Sequence, residues 1–167
     1  FTGNGFKRKG LREFLEIISK LKTKNVKAFV IGKDKNINHY LKLSKELKIN
    51  SKVIFTGPRE DIDDFYSISD IFLFPTHYDP FSNVVLEAMN FNNVVFTSSN
   101  NGASEILEDY FIMISPNDFS VVNKIDELLQ NKDRISHIKQ LNLKKSKKLS
   151  IEKNLSSTLN IIDEIIN

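Results

Sequence analysis

Five short apolar runs punctuate the first two thirds of this chain: KAFVIG (27–32), KVIFTG (52–57), DIFLFP (70–75), NVVFTS (93–98) and FIMIS (111–115). None alternates strictly between apolar and polar residues, which is the pattern of strands buried on both faces. The stretches between them carry helical spacing instead. LREFLEIISKLK (11–22) sets Leu11, Phe14, Leu15, Ile18 and Leu21 on one face, and INHYLKLSKELK (37–48) repeats that spacing. DIDDFYSIS (61–69) predicts a short helix, VVLEAM (84–89) lies within another, and helical patterns at about 119–131, 133–148 and 151–166 close the chain. Strand and helix in alternation, with short connections, predict βαβ units, right-handed crossovers and a doubly wound parallel sheet with helices on both faces. The expected fold class is α/β.

At 167 residues the chain is long enough for one domain with a real core, spanning 1–167, and too short for two comfortable ones. It opens on FTGNG, which reads as the end of a strand entering a turn and suggests a piece of a longer protein. There is no cysteine, so disulfides and thiolate metal sites are excluded. No apolar run approaches the length of a membrane span. The net charge of +3 is a weak bias, and the basic residues are not interleaved with aromatics along a face, as nucleic-acid binding would want. The cluster Lys144, Lys145, Lys147 and Lys148 reads first as a solvated helix face, with anionic lipid or a partner as the alternative.

In doubly wound sheets ligands meet the carboxyl ends of the strands, near helix N-termini, so the loops after strands matter most. The first is TGNGFKRKG (2–10). Gly3 and Gly5 allow backbone conformations that turn N–H groups toward a ligand. A helix starting near Gly10 would add unpaired N–H groups and the positive end of its dipole. With the charges of Arg8 and Lys9 these make a candidate phosphate or diphosphate site. The loop matches neither a P-loop nor the spaced-glycine dinucleotide fingerprint. A plain glycine turn with surface lysines is the alternative.

The second constellation is YDPFSNVVLEAM (78–89). Pro80 keeps Asp79 out of the helix, which is expected to begin near Phe81 or Ser82 with Asp79 at its positive end. Glu87 then falls in the second turn, between Leu86 and Ala88 in a run that looks buried. Eight residues of helix span about 12 Å, too far for paired glycosidase carboxylates, roughly 5–10 Å apart. The spacing suits two grips on one long ligand, since carboxylates accept hydrogen bonds from sugar hydroxyls. Otherwise Asp79 is a helix cap and Glu87 a surface residue.

At this point the sequence resembles the retaining glycosyltransferases of family 4, with the GT-B fold. Their pattern of Glu-Pro-Phe-Gly, a few apolar residues and Leu-Glu-Ala-Met is similar to Asp79-Pro80-Phe81-Ser82-Asn83-Val84-Val85-Leu86-Glu87-Ala88-Met89. The rest of the family's order is here too: Lys9-Gly10, FVIG, VIFTG, SDIFLFP and NGASEIL, in register from Phe1 to about Leu107. RKGL and the spacing after FVIG are closest in flavour to the glucosyltransferases of lipopolysaccharide core assembly.

The resemblance implies a Rossmann-like C-terminal half of a GT-B fold: one donor-nucleotide-binding domain, a fragment lacking the N-terminal acceptor domain. It implies transfer of a hexose from a nucleoside diphosphate sugar, a UDP-sugar or similar, to a cell-envelope glycan or glycolipid such as lipopolysaccharide core. Arg8 and Lys9 would hold the donor diphosphate, Asp79 the transferred sugar and Glu87 the ribose. Phe81, Ser82 and Asn83 would offer backbone N–H groups, with Val84 beside them in the donor site, and Arg59 lies where the nucleobase pocket forms. Glu105 matches a later family glutamate of unassigned role. No metal or other cofactor is expected. The implied location is cytoplasmic, and peripheral contact with the inner face of the membrane is left open. The sequence departs from the family at Asp79, one methylene shorter than glutamate, at Ser82, at Asn92-Asn93-Val94 in place of Gly-x-Pro, and at Asn101 in place of the first of two glycines. Asn can still adopt the left-handed cap that ends a helix. His39 and His137 read as surface residues, and His77 is a candidate for the sugar pocket. A nucleotide-sugar epimerase half and a non-catalytic regulatory α/β module are the alternatives; the strand ends FVIGKD and IFTGPR fit a phosphoacceptor receiver poorly.

Overall fold

The computed structural model describes residues 1–149 and 151–166, with the side chains of residues 151–154 and 157 outside that description. Five strands, β1 (Ala28–Ile31), β2 (Val53–Gly57), β3 (Ile71–Phe74), β4 (Val94–Ser98) and β5 (Ile112–Met113), occupy the five apolar runs. Every strand pair is parallel. Ala28 lies opposite Val53, Ile71 opposite Val94 and Thr97 opposite Ile112. All five residues of β4 are buried, as expected of a strand covered on both faces.

Hydrogen bonding runs in two ladders, β1–β2 and β3–β4–β5. Residues 1–3 lie along the free edge of β1: the Ile31 N–H donates to the Phe1 carbonyl at 3.1 Å and the Gly3 N–H to the Ile31 carbonyl at 3.0 Å. The Phe1 ring sits 5.9 Å from that of Phe74, so this short segment packs against β3 without pairing to it. Beside it an apolar slot of about 320 Å³, lined by Phe14, Leu21, Ala28, Phe29, Phe72 and Leu73 among others, separates the two ladders.

The helices are α1 (Phe6–Lys9), α2 (Leu11–Lys20), α3 (Ile37–Glu46), α4 (Ile62–Ile68), α5 (Asn83–Asn90), α6 (Val121–Leu129), α7 (Lys132–Ser146) and α8 (Ile151–Ile166). The sequence pattern did not foretell α1, a single turn too short for a periodic signature. In α2 the i, i+3, i+4 set Leu11, Phe14, Leu15 and Ile18 is buried against the sheet. In α5 Val85, Ala88 and Met89 are buried. Asn92 ends that helix region in the left-handed conformation (φ 63°), and the Asn93 amide ties the turn to the Tyr66 and Phe91 carbonyls at 2.9 and 3.0 Å. Two 3-10 turns, Gly102–Ile106 and Asp109–Phe111, follow β4. Burying one Phe or Leu side chain contributes about 1.5–3 kcal/mol. The fully buried set of Phe6, Phe74, Phe96, Leu11, Leu15 and Met89 therefore makes the sheet a rigid base for the loops at its carboxyl edge. Among the described residues no helix is long and apolar enough to cross a membrane.

Candidate functional site

Two segments meet at the carboxyl ends of the strands. One is α1 with the Lys9–Gly10 turn; the other is residues 75–79, which leave β3. Gly10 is left-handed (φ 79°), and a Cβ there would overlap the Pro75 carbonyl oxygen, so the two backbones touch. The Arg8 carbonyl accepts two bonds from the second segment, from the His77 N–H at 2.9 Å and from Thr76 Oγ1 at 3.1 Å. In return Arg8 Nη1 donates to the Tyr78 carbonyl at 2.9 Å.

This docking sets three charges side by side. Lys9 Nζ donates to Asp79 Oδ2, and Arg8 Nη1 lies 3.5 Å from the same oxygen. The Lys9 and Asp79 side chains are nearly buried, whereas Arg8 is half exposed. The Lys9 stem packs over Gly3, and its ammonium stands 4.9 Å above the Phe74 ring. Burial opposes the charged form of Asp79. The Lys9 ammonium and the Arg8 guanidinium outweigh it and hold the carboxyl below its ordinary value. The cluster therefore carries two cations against one anion at the carboxyl ends of the strands.

The remaining sequence candidates are placed unevenly. The Gly3 N–H is spent on Ile31, so it does not face a ligand; the extended backbone entering the turn still belongs to the β1 ladder. Gly5 is left-handed and begins α1, and the Phe6 N–H after it donates to Asp34 Oδ2 at 2.7 Å. The Ser82 N–H, expected to be open, donates to Asn101 Oδ1 at 3.2 Å, because the loop after β4 packs directly beneath the start of α5. Phe81 and Asn83 are exposed and Val84 is half-buried at the same helix start. Glu87 is exposed rather than buried, because the core face of α5 falls at Val85, Ala88 and Met89 and Glu87 turns away from it. Its Oε2 accepts from the buried Tyr66 hydroxyl at 3.1 Å. Burial and the Glu87 charge both push the Tyr66 phenol up. Arg59 makes a two-point pair with its near neighbour Asp61 at 2.7 and 2.6 Å and lies over Phe65. So Arg8, Lys9 and Asp79 form one contact unit, while Glu87 and Arg59 are fastened to other partners. Glu105 is exposed in the first 3-10 turn, and His39 and His137 are exposed.

Two contributors escaped the sequence reading. Asn101 is fully buried: Oδ1 takes the Ser82 and Ala103 N–H groups, and Nδ2 donates to Thr97 Oγ1 at 3.0 Å. The Asp79 N–H donates to the Asn100 carbonyl and the Gly102 N–H to the Asp79 carbonyl, which fixes the acidic residue between the two loops. An Asn standing where a glycine was expected was the available signal. The second is the buried Glu13, 3.0 Å from His77 Nε2; in sequence it looks like one more polar residue of an amphipathic helix. Among the described residues no group of three or more His, Asp or Glu is placed to hold a metal ion.

A family model described as glycosyl transferases group 1 matches residues 1–150. The chain is similar to the capsular polysaccharide biosynthesis glycosyltransferase CapM of Staphylococcus aureus, 29% identical over 141 residues that cover 78% of this chain and 36% of CapM. It is similar to the lipopolysaccharide glucosyltransferase WaaG of Escherichia coli K12, 28% identical over 111 residues covering 65% of this chain and 29% of WaaG. Among solved structures, Anabaena Alr3699/HepE in complex with UDP superposes with a TM-score of 0.81 at 19% identity, over 95% of this chain and 48% of that one. The chain spans about a third of the length of these two curated relatives.

Proposed function

The chain belongs to the glycosyl transferases group 1 family, and from that premise we propose that it is the donor-binding domain of a retaining enzyme using a nucleoside diphosphate hexose, a UDP-sugar or similar. The acceptor, a cell-envelope glycan or glycolipid such as lipopolysaccharide core, would be bound mainly by the remainder of a longer polypeptide. The observation that carries this reading is the Arg8–Lys9–Asp79 cluster at the carboxyl edge of the parallel sheet. The HepE structures with UDP and with UDP-glucose, which share this fold, add support. So does the kinship with CapM and WaaG for the envelope-glycan acceptor.

The chemistry follows from where charge develops. Breaking the bond between sugar and phosphate leaves negative charge on the departing diphosphate and positive charge on the sugar ring. An ammonium has three donors. Lys9 spends one on Asp79 and keeps two for phosphate oxygens. Arg8, half exposed, adds a second cation. Asp79, ionised at neutral pH, accepts from a sugar hydroxyl and leans its charge toward the ring. Fixed charges of this kind cost no reorganisation during reaction, and losing one such donor costs roughly 3 kcal/mol of barrier. Glu87, held by Tyr66, would grip the ribose.

Calorimetry with UDP and a panel of nucleoside diphosphate hexoses tests the reading. Binding is expected, with Glu87→Ala weakening UDP more than Asp79→Ala. Absence of binding by every member of the panel would overturn it, and the reverse mutant order would exchange the two grips.

A further inference from the structure

Glu13 is a carboxylate that the proposed chemistry does not use, yet it is buried. It lies in the first turn of α2 with its side chain 8% exposed, and among the described residues the one group within ion-pair range is His77 Nε2, 3.0 Å from its Oε1. A carboxylate withdrawn from water needs a donor, and the His77 ring nitrogen is the group placed to supply one. The His77 backbone N–H meanwhile donates to the Arg8 carbonyl at 2.9 Å. One residue is thus fastened at two points, Arg8 and Glu13, which flank the Lys9–Gly10 turn on either side.

The core does not need this contact. Leu11, Phe14, Leu15 and Ile17 already seat α2 with exposures of 0–3%. The Glu13–His77 contact lies at the polar rim instead, between the same two segments that carry Lys9 and Asp79. We propose that Glu13 and His77 are positioning residues: they set the spacing between the Arg8–Lys9 turn and Asp79, and through it the fit to the diphosphate of the donor. This rests on the donor-binding reading above. On this proposal neither residue contacts the diphosphate, and the effect passes through the turn they clamp.

The test compares UDP with uridine, by calorimetry, on the 167-residue chain. The variants are His77→Ala, His77→Asn and His77→Gln. A glutamine amide nitrogen reaches the place of Nε2 and still donates to Glu13, whereas an asparagine reaches only the place of Nδ1. His77→Ala and His77→Asn are expected to lose about tenfold in UDP affinity, the size of one weakened charge-assisted bond. Uridine affinity should be unchanged, and His77→Gln should stay within about twofold of the parent, since it keeps that bond. Unchanged UDP affinity in His77→Ala, an equal loss for uridine, or an Asn variant that behaves like Gln would overturn the proposal. If the parent chain binds neither ligand, the donor reading fails by itself, and ¹⁵N relaxation of the Lys9 ammonium decides the positioning role. An ammonium ordered in the parent and in His77→Gln but mobile in His77→Ala supports it; equal mobility in all three overturns it.

Discussion

Lys9→Ala removes the inner partner of the Lys9–Asp79 pair, and its cost can be worked out from the surroundings. The two side chains are 13% and 9% exposed. Breaking a buried pair by deleting one partner costs about 3–5 kcal/mol, chiefly because the other charge is left behind. Two features lower that figure. Arg8 stays 3.5 Å from Asp79, and the pair lies at the rim of the sheet, where water can reach the vacated space. Loss of the ammonium above Phe74 adds about 0.5–1 kcal/mol. A net destabilisation of about 2–3 kcal/mol at neutral pH is expected. The pH dependence has a definite sign. Burial opposes ionisation of Asp79, but Lys9 and Arg8 together depress its folded pKa. Its contribution is therefore complete above the unfolded value, about 4, and fades as pH falls through the folded one. The gap between parent and variant should be widest at neutral pH and should narrow in acid. Urea unfolding followed by circular dichroism at several pH values measures it, with equal denaturant slopes as the check on two-state behaviour. A gap below about 0.5 kcal/mol, the size of a surface pair, or one that does not narrow in acid, would refute the reasoning.

Gly10→Ala should be more damaging still: the residue is left-handed and its new methyl group would overlap the Pro75 carbonyl. A loss of about 3 kcal/mol or more is expected, read as a lowered thermal midpoint. Asn101→Ala leaves the buried N–H groups of Ser82 and Ala103 without their acceptor. At about 1–3 kcal/mol for each stranded donor, it should lose about 2–4 kcal/mol in urea unfolding and weaken UDP binding along with stability.

The strands and long helices were legible because their apolar periodicity is a one-dimensional image of burial. Val94–Ser98 is an uninterrupted run since both its faces are covered, and the α2 stripe of Leu11, Phe14, Leu15 and Ile18 is the side that meets the sheet. That the loop of Arg8 and Lys9 and the loop of Asp79 share one edge was legible for another reason: strand-end loops of a parallel sheet converge, so residues 70 positions apart can be placed together by topology; the direct contact of Lys9 with Asp79 was not. What stayed hidden depended on loop-to-loop packing. A run of apolar neighbours made Glu87 look buried, but one helical step of about 100° carries it past the core face. The N–H of Ser82 looked open because nothing local reveals that Asn101 lies beneath it. Glu13 reads as solvated because its partner, His77, lies far along the chain.

The most direct test of the account is amide chemical-shift mapping of UDP-glucose on the ¹⁵N-labelled chain. Binding at the Arg8–Lys9–Asp79 cluster predicts that the largest changes fall within residues 3–10 and 75–87, the two segments this cluster joins together with the start of α5. Changes confined to the slot between β1 and β3 or to the closing helices, or no change at saturating ligand, would contradict it.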